Sequence, residues 1–257
     1  MSMAAVAVAA SRDTERDDTS VVHVWSQRSR VSGDLAADVA LLDSAERARA
    51  ERFRFERDRR RYVQRHAFVR RVLGRYLELD PARVAIAIAS HGKPVLDGSL
   101  DLSFNLSHAD DVTVLAVADG RPVGVGLERV RAVDDASGLA DWLFAPAEIA
   151  SLRSAPPSSS SLAFLELWTR KEAVIKTMGA GLAVPLDGFT VLTRAGEAGA
   201  RPRHAGGDLP LAFATIDAPS GYVGTVASAG ARISVRTIDE RNRPEPGPLA
   251  RSVAGEA

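Results

Sequence analysis

Two stretches of this chain carry apolar residues at helical spacing, and each is followed by a set of short strand-like runs. That order of elements constrains the fold most. The first helical stretch covers residues 43–78. Asp43 stands where an N-cap is needed, with Glu46 three positions on, the spacing of a capping box. Val69, Val72, Leu73 and Tyr76 form one apolar stripe along its second half, while its first half is dense in arginine. Asp80-Pro81 then opens a turn with proline at a first-helical position. Strand-like runs follow at 102–106, 112–117 and 123–130, and Asp119-Gly120 between the last two predicts a hairpin.

The cycle then repeats. Residues 140–152 and 162–178 read as helices, separated by Pro156-Pro157 and a run of four serines that predicts a surface loop. Gly179-Ala180-Gly181 ends the second of them as a glycine C-cap does. Further strands are expected near Phe189 and at 211–216, 222–227 and 233–235, with another near residues 21–25 opening the chain. The expectation is an α+β protein of two similar halves, spanning 21–122 and 123–239. Residues 1–20 and 240–257 read as tails. No internal sequence repeat is evident.

Composition narrows the function. The 257 residues hold 33 basic and 33 acidic side chains, so no net field favours nucleic acid. There is no cysteine, which removes disulfides, thiolate nucleophiles and Cys-based zinc sites. No apolar run is long enough to span a bilayer, and a cytoplasmic protein without nucleic-acid or membrane partners is expected. The absence of a GxxxxGK[ST] loop argues against a P-loop ATPase or kinase. Only three of the basic residues are lysine: Lys93, Lys171 and Lys176. An ammonium can shift its pKa and release a proton, which guanidinium cannot, so these three are candidates for chemistry.

Trp168, Glu172 and Lys176 stand at i, i+4 and i+8, one stripe of a helix. Taken alone, this reads most simply as a surface Glu-Lys pair beside a core tryptophan. Other groups match it: Gly92-Lys93-Pro94 is a turn presenting a cation, and Phe104-Asn105-Leu106-Ser107-His108 ends a strand with two phosphate donors. Glu128 lies two residues from Gly126, on the same strand face.

The order of these motifs resembles 4′-phosphopantetheinyl transferases of the long, surfactin-synthetase-activating type. That family shows GKP, (F)NxSH, G-(V/I)-D-x-E and W-x-x-K-E-A-x-x-K, and the match here covers roughly 44–182. The resemblance implies transfer of phosphopantetheine from coenzyme A to a serine of an apo acyl or peptidyl carrier protein, with Mg²⁺ as cofactor. It implies that Glu172 binds the metal and acts as or positions the base, and that Lys176 neutralises or protonates the departing phosphate. Lys171, Ser107 and His108 would grip phosphates, Lys93 would lie near the adenosine end, and Arg49 and Arg61 would assist with the coenzyme's phosphates. The resemblance also implies a pseudo-dimer of two similar α+β subdomains with the active site in the cleft between them, and a monomer is expected.

One departure stands out. The family's metal-binding aspartate is replaced in Gly124-Val125-Gly126-Leu127-Glu128 by Gly126. Mg²⁺ is commonly held by one or two carboxylates plus substrate phosphates, so Glu128 and Glu172 meet that minimum with a weakened site. The alternative is a catalytically impaired homologue that binds coenzyme A or the carrier.

Overall fold

The computed structural model describes residues 19–89, 92–97, 101–179, 184–192, 203–204, 207–208, 211–230 and 232–242. Strand β1 (Thr19–Arg28) leads into helices α1 (Ala36–Leu41), α2 (Ser44–Glu51) and α3 (Glu56–Leu77). The short strands β2 (Ile86–Ile88) and β3 (Pro94–Leu96) precede β4 (Leu102–Ala109), β5 (Val112–Asp119) and β6 (Val123–Arg129). Helices α4 (Ala136–Leu143), α5 (Pro146–Ser154) and α6 (Ser160–Met178) follow. The two-residue strands β7 (Arg203–His204) and β8 (Gly207–Asp208) then lead to β9 (Leu211–Thr215), β10 (Tyr222–Ala229) and β11 (Arg232–Asp239).

The α+β expectation holds in this mixture of helix and sheet. One sheet runs in the order β11-β1-β5-β4 and a second in the order β6-β10-β9. Helix α3 lies on the first, where Phe68, Val72 and Leu73 bury against Trp25, Phe104, Leu115 and Val117. Helix α6 lies on the second, with Phe164, Leu167 and Val174 packed among Leu211, Ala227 and Phe189. Between the sheets, Val22, Val24, Val114 and Ala116 share one core with Val123, Val125, Leu127 and Val226. A hydrogen bond ties the sheets beside the site: Val125 N–H donates to Asn105 Oδ1 at 3.0 Å.

Local expectations hold where local chemistry decides. The capping box at Asp43 is present: Glu46 N–H donates to Asp43 Oδ1 at 2.8 Å and Asp43 N–H to Glu46 Oε2 at 3.0 Å. Gly179 ends α6 with φ of 68°, a left-handed conformation in which glycine carries no steric penalty; Ala180 and Gly181 lie outside the described residues. Asp80 accepts from Ala82 N–H and starts a 3-10 turn at Pro81. The stretches 43–78 and 140–152 each divide into two helices, and the serine run becomes a 3-10 turn followed by the first turn of α6. No strand forms at Phe189, which follows a 3-10 turn instead.

Non-local pairing overturns two expectations. Asp119-Gly120 closes no hairpin, since β5 pairs with β1 and β4 whereas β6 pairs with β10. That turn carries the chain from one sheet to the other. The real hairpin is β4–β5, turned at Asp110 with φ of 48°. Strand β11 crosses back and pairs in parallel with β1, His23 opposite Arg236 and Trp25 opposite Ile238. The expected tail 1–20 is also too long, for Thr19 and Ser20 already belong to β1. Residues 240–242 form a 3-10 turn, and the rest of that expected tail lies outside the described residues.

Candidate active site

Lys176, near the C-terminal end of α6, is where three elements meet. Its ammonium lies 2.8 Å from Glu172 Oε1, one helical turn back. It also donates to Ser107 Oγ (3.1 Å) and Leu106 O (3.3 Å) on β4 and to Val125 O (3.0 Å) on β6. Lys176 thus joins both sheets to the helix, and both it and Glu172 remain about one-quarter exposed. Substrate can reach them.

His108 stands two residues beyond Leu106, on the same face of β4. Its pKa is lowered to about 4, first by desolvation and then by the cations Arg65, Lys176 and Arg61 and by His66. Four positively charged or chargeable groups facing one imidazole describe a place built for anions.

On the other side of Lys176 lie the carboxylates. Glu128 on β6 has its pKa raised, first by burial and then by Glu172, and the Trp168 indole hydrogen bond opposes this. The stripe Trp168–Glu172–Lys176, one face of the helix by its spacing, therefore lies toward β6. Glu172 Oε2 is buried and has no hydrogen-bond partner. Two carboxylates that repel each other, one with an orphaned oxygen, fit a divalent cation between them.

Gly126 sits in the same place and explains how α6 lies on β6. A Cβ at position 126 would stand 2.5 Å from Thr169 O and 2.9 Å from Glu172 Oε2. At Gly124 it would stand 2.2 Å from Ala173 O. The helix backbone occupies the space where side chains would be. Restoring the family aspartate therefore needs the helix to move. We expect Gly126→Asp to cost about 1–3 kcal/mol by overpacking, seen as a lower Tm that added Mg²⁺ partly recovers by pairing the new carboxylate. An unchanged Tm in metal-free buffer would show that α6 is displaced at no cost.

A pocket of about 370 Å³ opens on the α2–α3 side of β4, lined by Asp43, Ala45, Glu46, Arg49, Tyr62, Arg65, His66, Val69, Ile86, Ile88, Gly92, Pro94, Phe104 and Leu106. Its floor is apolar: Val69, Ile86, Ile88, Phe104 and Leu106. The Tyr62 ring lies between the guanidinium groups of Arg49 and Arg65, at 5.9 and 5.8 Å, and against His66 at 4.1 Å. Burial lowers the Arg65 pKa to about 10, an effect that Tyr62 opposes and Arg49 reinforces.

Of the residues expected from sequence, Glu172, Lys176, Ser107 and His108 come together, with Glu128 and Gly126 beside them. Arg49 lines the pocket. Arg61 lies in a neighbouring polar basin with Arg28, Arg57 and Arg129, within electrostatic reach of His108.

Two lysines go elsewhere. Lys171 is fully buried on the opposite side of α6, 2.7 Å from Glu148 Oε2, and donates to Leu186 O and Phe189 O. The expectation that it grips phosphate is corrected, because the side chain is spent inside the core. Lys93 is half-buried, and its ammonium donates to Lys176 O at 2.8 Å and Val123 O at 3.2 Å. It meets the negative end of the α6 dipole rather than the pocket, to which Gly92 and Pro94 contribute.

Sequence reasoning missed Glu46, Tyr62, His66 and Asn105 as parts of the site, and counted Arg65 only among the basic residues of its helix. Tyr62, Arg65, His66 and Val69 follow i, i+3, i+4, i+7 spacing on α3, the signal that they share a face.

Comparisons with known proteins place the whole of this region in one family. Residues 122–227 match the model of the 4′-phosphopantetheinyl transferase superfamily. Residues 26–120 match that of the 4′-phosphopantetheinyl transferase N-terminal region. The 4′-phosphopantetheinyl transferase HetI of Nostoc sp. is 38% identical over 169 residues, covering 63% of this chain and 70% of that protein. A 4′-phosphopantetheinyl transferase of Bacillus subtilis is 30% identical over 168 residues, covering 65% and 74% respectively. The 4′-phosphopantetheinyl transferase Sfp of Bacillus subtilis is 28% identical over 153 residues, covering 60% and 67%. With matched segments that include both the cluster around Lys176 and the pocket beside β4, the chain belongs to the 4′-phosphopantetheinyl transferase family.

Proposed function

We propose that this protein transfers the 4′-phosphopantetheine group of coenzyme A to a serine hydroxyl of an apo carrier protein and releases adenosine 3′,5′-bisphosphate. The observation that carries this reading is the position of Lys176, within 3.1 Å of both Glu172 on its own helix and Ser107 on β4. The reaction forms a bond from the serine oxygen to phosphorus and breaks a pyrophosphate P–O bond. It needs a base for the hydroxyl, a counter-charge for the leaving phosphate and donors for the non-bridging oxygens. Glu172 takes the serine proton or orients the hydroxyl. Lys176 neutralises the departing phosphate, and Ser107 and His108 hold the diphosphate. The base of the coenzyme lies on the apolar floor beside β4, with Arg49 and Arg65 at its rim. Mg²⁺, when bound by Glu128 and Glu172, would neutralise charge on the diphosphate.

A long helix against each of two sheets, with Lys176 linking them, supports reading the fold as two related halves around a cleft. Among the described residues no helix is long and apolar enough to cross a membrane. We infer a cytoplasmic monomer acting on carrier proteins of polyketide or non-ribosomal peptide assembly. Intact-mass analysis of an apo carrier protein incubated with coenzyme A over a magnesium series tests the proposal. A phosphopantetheine mass gain that rises with Mg²⁺ is expected. Coenzyme A binding with no mass gain at any concentration would replace it with a binding-only role.

A further inference from the structure

Lys93 turns away from the pocket although both of its chain neighbours line it. Gly92 and Pro94 belong to the pocket wall, beside Ile86 and Ile88 of the same β2–β3 pair. The turn between these strands is closed by Ala89 N–H donating to Lys93 O and Gly92 N–H to Ala89 O, both at 2.9 Å. Neighbouring side chains of an extended segment point to opposite sides. With Pro94 on the pocket, Lys93 is directed to the other sheet.

There its ammonium donates to Lys176 O at 2.8 Å and to Val123 O at 3.2 Å. Lys176 O is one of the last carbonyls of α6, and Gly179 N–H reaches it only at 3.3 Å. The end of a helix leaves carbonyls short of donors and carries partial negative charge, so an ammonium suits it. Strand β6 lies at the edge of its sheet, and Val123 and Val125, two residues apart, turn their main-chain groups to the side away from β10. On that side Val123 O accepts from Lys93, while Val125 O accepts from the Lys176 ammonium at 3.0 Å. Lys93 thus holds the main chain of residue 176 beside the strand that also holds its side chain.

We propose that Lys93 is a positioning residue for the transfer reaction, locking the end of α6 to the pocket turn and so fixing where the Lys176 ammonium stands against the diphosphate. This rests on the reading of the pocket as the coenzyme site. Lys93 itself touches no substrate. The four contacts of the Lys176 ammonium, to Glu172, Ser107, Leu106 O and Val125 O, are each open to exchange for a phosphate oxygen. An anion competes for that ammonium but not for the carbonyl of the same residue. The Lys93 bond therefore persists while the side chain turns to the ligand. Because the same turn presents Gly92 and Pro94 to the pocket, the spacing from pocket to phosphate site is set by one short segment.

Carrier modification read by intact mass, beside calorimetric titration of the full-length protein with coenzyme A, tests this. Lys93→Met keeps most of the stem and removes the donors. It should lower kcat by up to about 10²-fold, as for misplacing a reacting group by about 1 Å, while the coenzyme A Kd changes less than about 3-fold. Lys93→Arg offers N–H groups for both carbonyls and should restore kcat to within about 5-fold of wild type. If the methionine variant fails to fold, Lys93→Gln, with a single amide group, makes the same comparison and should fall between the two. A Kd raised about 10-fold or more at unchanged kcat would overturn the proposal and make Lys93 a coenzyme ligand. A lowered Tm at unchanged kcat and Kd would also overturn it, leaving a helix cap and nothing more. Failure of wild type to bind coenzyme A would instead overturn the coenzyme reading of the pocket.

Discussion

Glu172→Gln should lower kcat for carrier modification by about 10²–10⁴-fold, the range for loss of a positioned general base. The substitution keeps the shape of the side chain and a polar atom near Lys176, so the fold is expected to survive. Three observations place the effect in the chemistry rather than in stability. Glu172 is part-exposed, its Oε2 has no hydrogen-bond partner, and its carboxylate adds to burial in raising the Glu128 pKa. Coenzyme A binding, which the proposed function assigns to β4 and the α3 pocket, should change far less than kcat. Single-turnover mass spectrometry beside calorimetry separates the two. Normal turnover in this variant would remove Glu172 from the mechanism.

The second large effect lies on the hidden side of the same helix. Lys171 and Glu148 are both fully buried, 2.7 Å apart. Glu148 also accepts from Ala145 N–H at 2.9 Å and Val191 N–H at 2.7 Å. The pair therefore pins the start of α5 and the segment at 189–191 against α6. Burial pushes the Lys171 ammonium pKa down, and Glu148 opposes that push. Removing one partner strands a charge in the core. Lys171→Ala is expected to destabilise the protein by about 3–5 kcal/mol, a fall in Tm of roughly 10 °C for a chain of this size. Glu148→Leu combined with Lys171→Met removes both charges and should recover much of that loss. Denaturant and thermal unfolding check both variants. A Lys171→Ala protein with wild-type stability but lost coenzyme binding would return Lys171 to the phosphate site.

Adjacent residues of α6 thus serve opposite ends. Successive side chains of a helix are turned by about 100°, so Glu172 faces β6 while Lys171 falls in line with Phe164, Leu167 and Val174. The motif reading passed over that row, which runs at i, i+3, i+7 and i+10 from Phe164 and puts Lys171 on the core side. The family motif drew attention to both residues without separating their faces. Gly126 shows the converse. In the motif it reads as a missing metal ligand, whereas in the fold it is also the gap into which the backbone of α6 packs.

The residues by themselves determined the long helix α6, the second half of the 43–78 stretch that forms α3, the capping box at Asp43 and the glycine stop at 179, and they singled out Ser107, His108, Glu172 and Lys176. These follow from periodicity, hydrogen-bond capacity within a few positions, and motif order. Only the tertiary structure decided that β11 returns to pair with β1, that Asp119-Gly120 links two sheets instead of closing a hairpin, and that Lys93 and Lys171 bond inward. A strand's alternation sets which face is apolar but not which distant strand supplies its partner. A lysine's identity likewise leaves open whether its ammonium meets solvent, a carboxylate or a helix end. Contacts between residues far apart in the chain settle both.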